Sequence, residues 1–327
     1  MHRSSSRAAL RMLGAATTLA ALLTACGSGT SGGSAHSGHA ATPGMTHTAT
    51  AGSAPVTSPV TSPSGASSGS SSMSGMPGMG DMPGMKGGSH DEGLSDTRDG
   101  YRLASATATL PAGIPVRYRF HVTGPGAAPV TDFAVDQTER LHLYAVRTDL
   151  TGFQHVHPAM AADGGWTADL AALTPGRWRL YASFTPASGP GAGQDFVLSR
   201  TVTVPGRAAS VPLPAAAPAV AVDGYTVTVA GDPAGGAARP LTVRFTRGGV
   251  PVTGLEPYLG TYAHLTAFHA GDLAFAHLHP ATPVNGAHGG PQLAFHAELA
   301  KAGDWRLFLQ FRAGGTLHTA AVTLHVG

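Results

Sequence analysis

The chain carries one segment twice, and this repeat constrains its fold more than any other feature. His142, His155 and His157 are each matched by a histidine 122 positions later, namely His264, His277 and His279. In both copies the last two histidines belong to a Phe-x-His-x-His-Pro run. A match at one constant offset indicates that a whole domain containing this run was duplicated.

The repeat extends into short runs that are typical of β-strands. Trp178 and Trp305 lie in matching runs, and runs such as RYRFHV and LHLYAV alternate apolar and polar residues between Pro and Gly. This texture favours antiparallel β-structure. We predict an all-β fold of two tandem immunoglobulin-like antiparallel β-sandwich domains after a disordered tether. The domains are expected at 97–206 and 220–327, with a Pro/Ala linker at 207–219 and both tryptophans as core anchors.

The N-terminus resembles a bacterial lipoprotein signal. Basic residues precede an apolar stretch too short for a lasting membrane span, and Leu23-Thr24-Ala25-Cys26 resembles a lipobox. Cys26 is the only cysteine, which removes any disulfide framework. We predict a signal peptide at 1–25, lipidation of Cys26 and a cell-membrane location, lipid-anchored on the extracellular face. The alternative is an ordinary signal peptide with an incidental cysteine.

Residues 26–96 are rich in Gly, Ser, Met and His and almost lack aliphatic side chains. Such a composition cannot offset the entropy of ordering, so it predicts a disordered tether. The net charge of the chain is only +2, and charged residues make up 12% of it. A charge this small does not indicate nucleic acid as a partner. The expected partners are the membrane, through the lipid, and a protein that donates or accepts metal.

The histidines of each copy are predicted to share one face of a hairpin. If the strands containing His142 and His155 pair around residues 148–151, then Tyr144 stands opposite His155 and His142 opposite His157. Alternate side chains of a strand point to the same face, so the three imidazoles can converge on one ion. Three imidazoles with an open position suit copper or zinc. The alternative is that these histidines are ordinary polar members of amphipathic strands.

The same register in the second copy places His264 opposite His279 and Thr266 opposite His277. Additional ligands could come from four residues outside the repeated sets: Met160, His288, His296 and His318. His121, His269 and His325 have no matching partners and are expected at the surface. Whether the two copies share a site is left open by the sequence.

A methionine-rich segment in the tether suggests a second kind of ligand. Its residues recur every three positions: Met73, Met76, Met79, Met82 and Met85. Thioethers are soft ligands that select Cu(I), and a flexible chain can wrap several around one ion. The alternative is a low-complexity spacer without ligand.

Two stretches carry a resemblance to known proteins. The methionine segment resembles the Met-rich motifs of periplasmic and cell-surface copper-handling proteins. The runs FQHVHPAMAADG and LAFAHLHP resemble a family of secreted actinobacterial proteins with His-x-His-Pro repeats that is linked to heavy-metal handling. The resemblance implies an extracytoplasmic location and copper as the ligand.

These observations predict an extracytoplasmic lipoprotein that binds copper, or another transition metal such as zinc, for sequestration or transfer. A blue-copper centre requires a cysteine thiolate, and the only cysteine stands at the lipidation position. We expect no enzymatic activity, although a histidine-only cuproenzyme stays open. The other alternative is a non-catalytic interaction or structural lipoprotein of the cell envelope with no metal site.

Overall fold

The computed structural model describes residues 92–327, and every regular element in this range is a β-strand. No helix in that range is long and apolar enough to cross a membrane. The predicted signal peptide, Cys26, most of the tether and the five methionines of its Met-rich segment lie outside the described residues.

The first repeat folds into nine strands in two antiparallel sheets. They are β1 (Thr97–Arg98), β2 (Tyr101–Ala104), β3 (Val116–Thr123), β4 (Leu141–Arg147), β5 (Phe153–Val156), β6 (Ala159–Met160), β7 (Gly165–Leu170), β8 (Gly176–Phe184) and β9 (Phe196–Val204). One sheet has the order β1-β2-β3-β7-β6 and the other β5-β4-β8-β9. Their inner faces enclose a core that includes Phe120, Leu143, Trp166 and Trp178.

The second repeat forms a similar two-layer sandwich, in which one strand pairs with both layers and joins all ten strands into one sheet. Its strands are β10 (Ala219–Val222), β11 (Tyr225–Ala230), β12 (Ala237–Arg247), β13 (Val250–Pro251), β14 (Leu255–Glu256), β15 (Ala263–His269), β16 (Phe275–Pro280), β17 (Gln292–Leu299), β18 (Gly303–Ala313) and β19 (Thr316–Val326). Trp305 is fully buried in this second core. The predicted fold of two tandem immunoglobulin-like β-sandwiches is therefore confirmed, as are both tryptophan anchors.

The histidine strand passes from one sheet to the other in both copies. In the second copy, β16 pairs with β15 as far as Leu278 and then with β17 at His279 and Pro280. In the first copy, β5 pairs with β4, and β6 pairs with β7 after a break at His157 and Pro158. The last histidine of each run therefore lies where the chain turns away from the hairpin.

The two sandwiches pack against each other through their histidine-bearing sheets. All seven residues of β4 are buried, because its inner face lies in its own core and its outer face is covered by the second domain. The interface cluster combines Tyr144 and Phe153 of the first domain with Phe268, Phe275 and Phe308 of the second. The Phe153 and Phe308 rings stack with centroids 4.2 Å apart. Such pairs contribute about 0.5–1.5 kcal/mol beyond area burial.

Residues at both ends of the first domain also contact this assembly. Glu92, assigned by sequence to the tether, accepts a backbone hydrogen bond from Phe275 at 2.8 Å and pairs with Lys301 at 2.9 Å. In the linker, Leu213 packs against the interface cluster, and Ala217 N–H donates to Thr323 O at 3.1 Å. The linker therefore runs along both domains.

Candidate metal centre

The strand register expected from the sequence is present in the inner pairs of both hairpins, but the expected pairing of His264 with His279 is wrong, because His279 pairs with His296 of β17. Tyr144 lies opposite His155, and Thr266 lies opposite His277. The paired part of β5 ends at Val156, but the His142 and His157 rings still approach to 5.1 Å between centroids. The register therefore places all three histidines of the first copy on the outer face of the hairpin.

That outer face meets the matching face of the second domain. His142 is 3% exposed and His264 only 1% exposed. The His264 ring lies 4.6 Å from that of His155 and 4.6 Å from that of His277, measured between centroids. The two histidine sets, 122 residues apart in sequence, thus form one cluster of imidazoles between the domains.

Three of these histidines can hold a metal ion. One ring nitrogen each of His142, His155 and His157 lies within 4.8 Å of the other two. Nitrogens bound to one ion at about 2.0 Å are separated by at most about 4 Å. A contraction of about 1 Å at the side-chain tips would therefore suffice to bring all three into ligation.

The hydrogen bonds of His142 and His155 leave two lone pairs facing each other. His142 Nε2–H donates to the carbonyl of Asp136 at 3.1 Å, and His155 Nδ1–H donates to Gln310 Oε1 at 2.7 Å. Between the rings, His142 Nδ1 and His155 Nε2 are 3.0 Å apart. Two neutral imidazoles carry one proton each, so they cannot supply a proton to all three of these contacts. With the Asp136 carbonyl and Gln310 Oε1 as acceptors, the contact between the rings has no proton of its own, and a cation bound beside the two nitrogens would satisfy both.

His157 adds a third available nitrogen. Its Nε2 atom is buried and has no hydrogen-bond partner among residues 92–327. Its Nδ1 atom lies 3.8 Å from Glu139 Oε1, so the ring proton is favoured on that side. Buried polar atoms without partners are uncommon and call for an explanation. A metal ion held by one nitrogen from each ring could satisfy this atom.

The environment keeps the three rings neutral. Burial lowers the pKa of His142 despite the nearby Asp136 carbonyl. Burial, followed by repulsion from His142, lowers the pKa of His155 well below its ordinary value. The same two causes bring the pKa of His157 to about 4. Because metal ligation requires the unprotonated imidazole, the site needs little proton release near neutral pH.

The second histidine set is arranged differently. His264 Nδ1–H donates to Gln137 Oε1 at 2.6 Å, and Gln137 Nε2–H donates to His277 Nε2 at 3.1 Å. The Tyr144 hydroxyl donates to His264 Nε2 at 3.0 Å. Side chains of the first domain thus occupy the lone pairs of both histidines. Burial lowers the pKa of each well below its ordinary value.

His279 does not join the buried part of the second set. It is exposed and lies opposite His296 on β17. Within the described residues, His264, His277 and His279 do not form a group of the kind that the first set forms. The predicted second three-histidine site is therefore not assembled in this structure.

The other candidate ligands lie elsewhere. Met160 packs against the first core, His318 Nδ1–H donates to Asp223 at 2.8 Å, and His288 is exposed. Of the three histidines expected at the surface, His121 and His325 are exposed. His269 is partly buried and donates to Asp272 at 2.8 Å.

Sequence reasoning missed the residues that orient the imidazoles. Asp136, Gln137 and Glu139 belong to a two-residue turn in which Asp136 and Glu139 exchange both backbone hydrogen bonds at 2.9 Å. Gln137 and Thr138, its central residues, have φ of 44° and 71°. Positive φ at both central positions defines a type I′ turn, which normally takes Asn-Gly, so Gln-Thr carries no recognisable signal. Gln310 is likewise an unremarkable strand residue in sequence.

Fold and site together define a tandem β-sandwich protein with a histidine cluster between its two domains. Residues 96–203 and 220–327 each match the model of a family described as a domain of unknown function, DUF8832. The chain belongs to this family.

No curated protein matches the chain. Similar solved structures include InvD of Yersinia pseudotuberculosis, at 15% identity, TM-score 0.23 and coverage of 69% of this chain and 57% of that one. A mutant Salmonella alpha-2-macroglobulin is 13% identical with a TM-score of 0.24, over 71% of this chain and 15% of that one. The tandem Ig repeats of Dlar are 9% identical with a TM-score of 0.18, over 69% and 97%. The chain spans less than two thirds of the first two, and likenesses at these TM-scores carry no argument about its site.

Proposed function

We propose that this protein binds a transition-metal ion between His142, His155 and His157, and that it sequesters or transfers this ion. The observation that carries the proposal is the pair of facing lone pairs on His142 Nδ1 and His155 Nε2, 3.0 Å apart, beside the unpartnered Nε2 of His157. A proton could also fill the gap, but burial disfavours an imidazolium there.

The surroundings of the three rings match those of metal-binding histidines. In such sites the second ring nitrogen usually donates to a carbonyl or carboxylate, which fixes the tautomer and orients the ring. Here Asp136, Gln310 and Glu139 take these positions for His142, His155 and His157 respectively. Each of the three proposed ligands therefore has a neighbouring acceptor that can fix the orientation of its ring.

Copper is the ion that we favour, with zinc as the competitor. Three neutral imidazoles bind both, and in divalent form copper binds such ligands more tightly than zinc does. The sequence adds Met73, Met76, Met79, Met82 and Met85, whose thioethers suit Cu(I). In this proposal the Met-rich tether holds Cu(I) and the histidine centre holds Cu(II), each until a partner protein removes it.

The location proposed for this activity is the outer face of the cell membrane. It rests on the basic start, the apolar stretch and the lipobox-like run ending at Cys26. Acyl chains on Cys26 would anchor the protein, each buried methylene contributing about 0.8 kcal/mol. Labelling with a radioactive fatty acid, lost in Cys26→Ala, tests the anchor separately from the metal.

Titration of the full chain with Cu(II) and Zn(II) against a competing chelator tests the metal site. We expect one tight ion that is lost in His142→Ala/His157→Ala and kept in the surface control His121→Ala/His325→Ala. Equal, weak binding by wild type and both variants would remove the proposal. Elemental analysis of untagged protein purified without chelators then identifies the physiological ion.

A structural role without metal is the second candidate, and the second histidine set favours it. His264 and His277 are bonded by Gln137 and Tyr144, so imidazoles in this interface can serve as hydrogen-bonding residues between domains. In that case the protein would be a rigid envelope module that presents its loops to another protein. It predicts no bound metal after gentle purification and a partner recovered by crosslinking in cells.

A further inference from the structure

The turn at residues 136–139 contacts the histidines of both domains. The Asp136 carbonyl accepts from His142, Glu139 lies 3.8 Å from His157, and the Gln137 amide bonds both His264 and His277. His155 instead donates to Gln310 of the second domain, and His264 also accepts from Tyr144. A single short turn therefore contacts two histidines of the first set and two of the second.

The equivalent turn of the second domain lacks this capability. Residues 258–261 form the same turn, with Tyr258 and Thr261 exchanging backbone hydrogen bonds at 2.6 and 3.1 Å. Its central residues, Leu259 and Gly260, have φ of 53° and 70°. Leu259 offers no polar atom where the first copy has Gln137. Of the two matching turns, the first therefore carries a side-chain amide, that of Gln137, and the second carries the apolar side chain of Leu259 at the same position.

The strand that carries His264 has a further polar atom without a partner among the described residues. Thr266 lies opposite His277 in the strand pair, and its side chain is fully buried. Its hydroxyl oxygen has no hydrogen-bond partner among the described residues. Thr266 stands where the first copy has Tyr144, whose ring stacks on His155 with centroids 4.3 Å apart. The smaller threonine therefore leaves a buried oxygen on the residue that pairs with His277.

We propose that His264 and His277 form a second ion position, and that the Gln137 amide keeps it closed in the unloaded protein. The ligand atoms are Nε2 of each ring, which now accept hydrogen bonds from Tyr144 and Gln137. An entering transition-metal ion, Cu(II) or Zn(II), displaces these two donors and gains two imidazoles, with Thr266 as a neighbouring oxygen. The inference deepens the proposed function, because it adds a second, weaker position next to the first.

Two variants of Gln137 open this position in different ways. Gln137→Ala removes both contacts of the amide. Gln137→Glu keeps an acceptor for His264 Nδ1–H but has no proton to donate to His277 Nε2, and it adds a carboxylate ligand. Thr138→Gly is the matched control, because it changes the same turn, gives it the glycine of the second copy and leaves Gln137 in place.

Stoichiometry measured with Cu(II) in the full chain, by chelator competition and by electron paramagnetic resonance, tests the proposal. We expect wild type and Thr138→Gly to bind one ion tightly and the second at least tenfold more weakly. In Gln137→Ala and Gln137→Glu the affinity for the second ion should rise at least tenfold. An unchanged second affinity in Gln137→Ala, whatever the result in Gln137→Glu, or wild type that already binds two ions equally tightly, would overturn the proposal.

The same experiment in a His142→Ala/His157→Ala background separates this inference from the proposed function. With the first set removed, Gln137→Ala should still gain one ion, and this gain should disappear on adding His277→Ala. If wild type binds no ion at the first set but the Gln137 variants gain one here, the proposed function fails and the second position stands. No gain in this background overturns the second position alone.

Discussion

His142 Nδ1 lies 3.0 Å from His155 Nε2. Each ring donates its own proton away from the other, His142 to the backbone carbonyl of Asp136 and His155 to the side-chain carbonyl of Gln310. Asp136 belongs to the first domain and Gln310 to the second. The nitrogen pair that we propose as the heart of the metal site is therefore oriented from both sides of the interface. Metal binding and domain docking should depend on each other.

Replacing Gln310 tests this dependence. In Gln310→Leu, His155 loses the acceptor that fixes its tautomer, and metal affinity should fall by about 10–100-fold, as for other outer partners of metal-bound histidines. Gln310→Glu keeps an acceptor and should restore the affinity. Chelator competition measures both, with the exposed Gln292→Leu as the control. Equal affinities in Gln310→Leu and wild type would show that the second domain does not orient the site.

Metal affinity should resist acid further than free imidazole does. Protons compete for free histidine as pH falls through about 6.5. Because burial lowers the pKa values of His142 and His155 and brings that of His157 to about 4, the affinity should stay nearly constant through pH 6.5 and fall as pH approaches 4. Chelator competition at pH 7.5, 6.5, 5.5 and 4.5 measures this profile. A tenfold loss already between pH 7.5 and 6.5 would contradict it.

The stability of the metal-free protein should decrease in the same pH range. A histidine with a folded-state pKa below its unfolded value is neutral in both states at high pH, and the unfolded chain binds more protons below about pH 6.5. The free energy of unfolding should therefore be highest above pH 6.5. It should fall towards pH 4 by up to about 1.4 kcal/mol per pH unit for each such histidine. Urea unfolding at several pH values measures this slope. His264→Gln should reduce it, while exposed His325→Gln should not.

Thr138 carries backbone strain that glycine would relieve. A β-branched residue at φ 71° is unfavourable, and strain of this kind costs about 1–3 kcal/mol. Thr138→Gly should stabilise the protein by about 1 kcal/mol, since the greater freedom of glycine in the unfolded chain offsets part of the gain. Gly260→Ala, at φ 70° in the matching turn, should destabilise it. Thermal unfolding compares the two, and a destabilised Thr138→Gly would show that the turn is not strained.

The stacked pair Phe153 and Phe308 should hold the domains together. Phe308 is 4% exposed, and Phe308→Ala should cost about 3–5 kcal/mol, as for other buried phenylalanines. The loss should appear as separate unfolding of the two domains, seen by calorimetry as two transitions in place of one. The exposed Ile114→Ala, at 56% exposure, is the control and should change little. A single transition at the wild-type temperature in Phe308→Ala would show that this pair does not hold the domains together.

The sequence was sufficient for the strands and the register because both depend on local periodicity. The alternation around His142 and His155 places three imidazoles on one face, and the structure keeps that pairing. Periodicity does not predict what covers the outer face of a strand. The contact between the two histidine-bearing faces could therefore not be predicted from the sequence. The same reason explains why Gln137 and Gln310 were missed, since each acts on a histidine more than 100 positions away.

The two type I′ turns lie side by side, since a Cβ added to Gly260 would come within 3.7 Å of the Thr138 methyl group. Two copies that meet through the same strands resemble a twofold homodimer joined into one polypeptide. In a homodimer, any substitution in such a turn appears twice and alters both half-sites together. In a single chain the two turns can change independently. The first repeat therefore carries Gln137, which bonds histidines of the second repeat, while the matching position of the second repeat is the apolar Leu259.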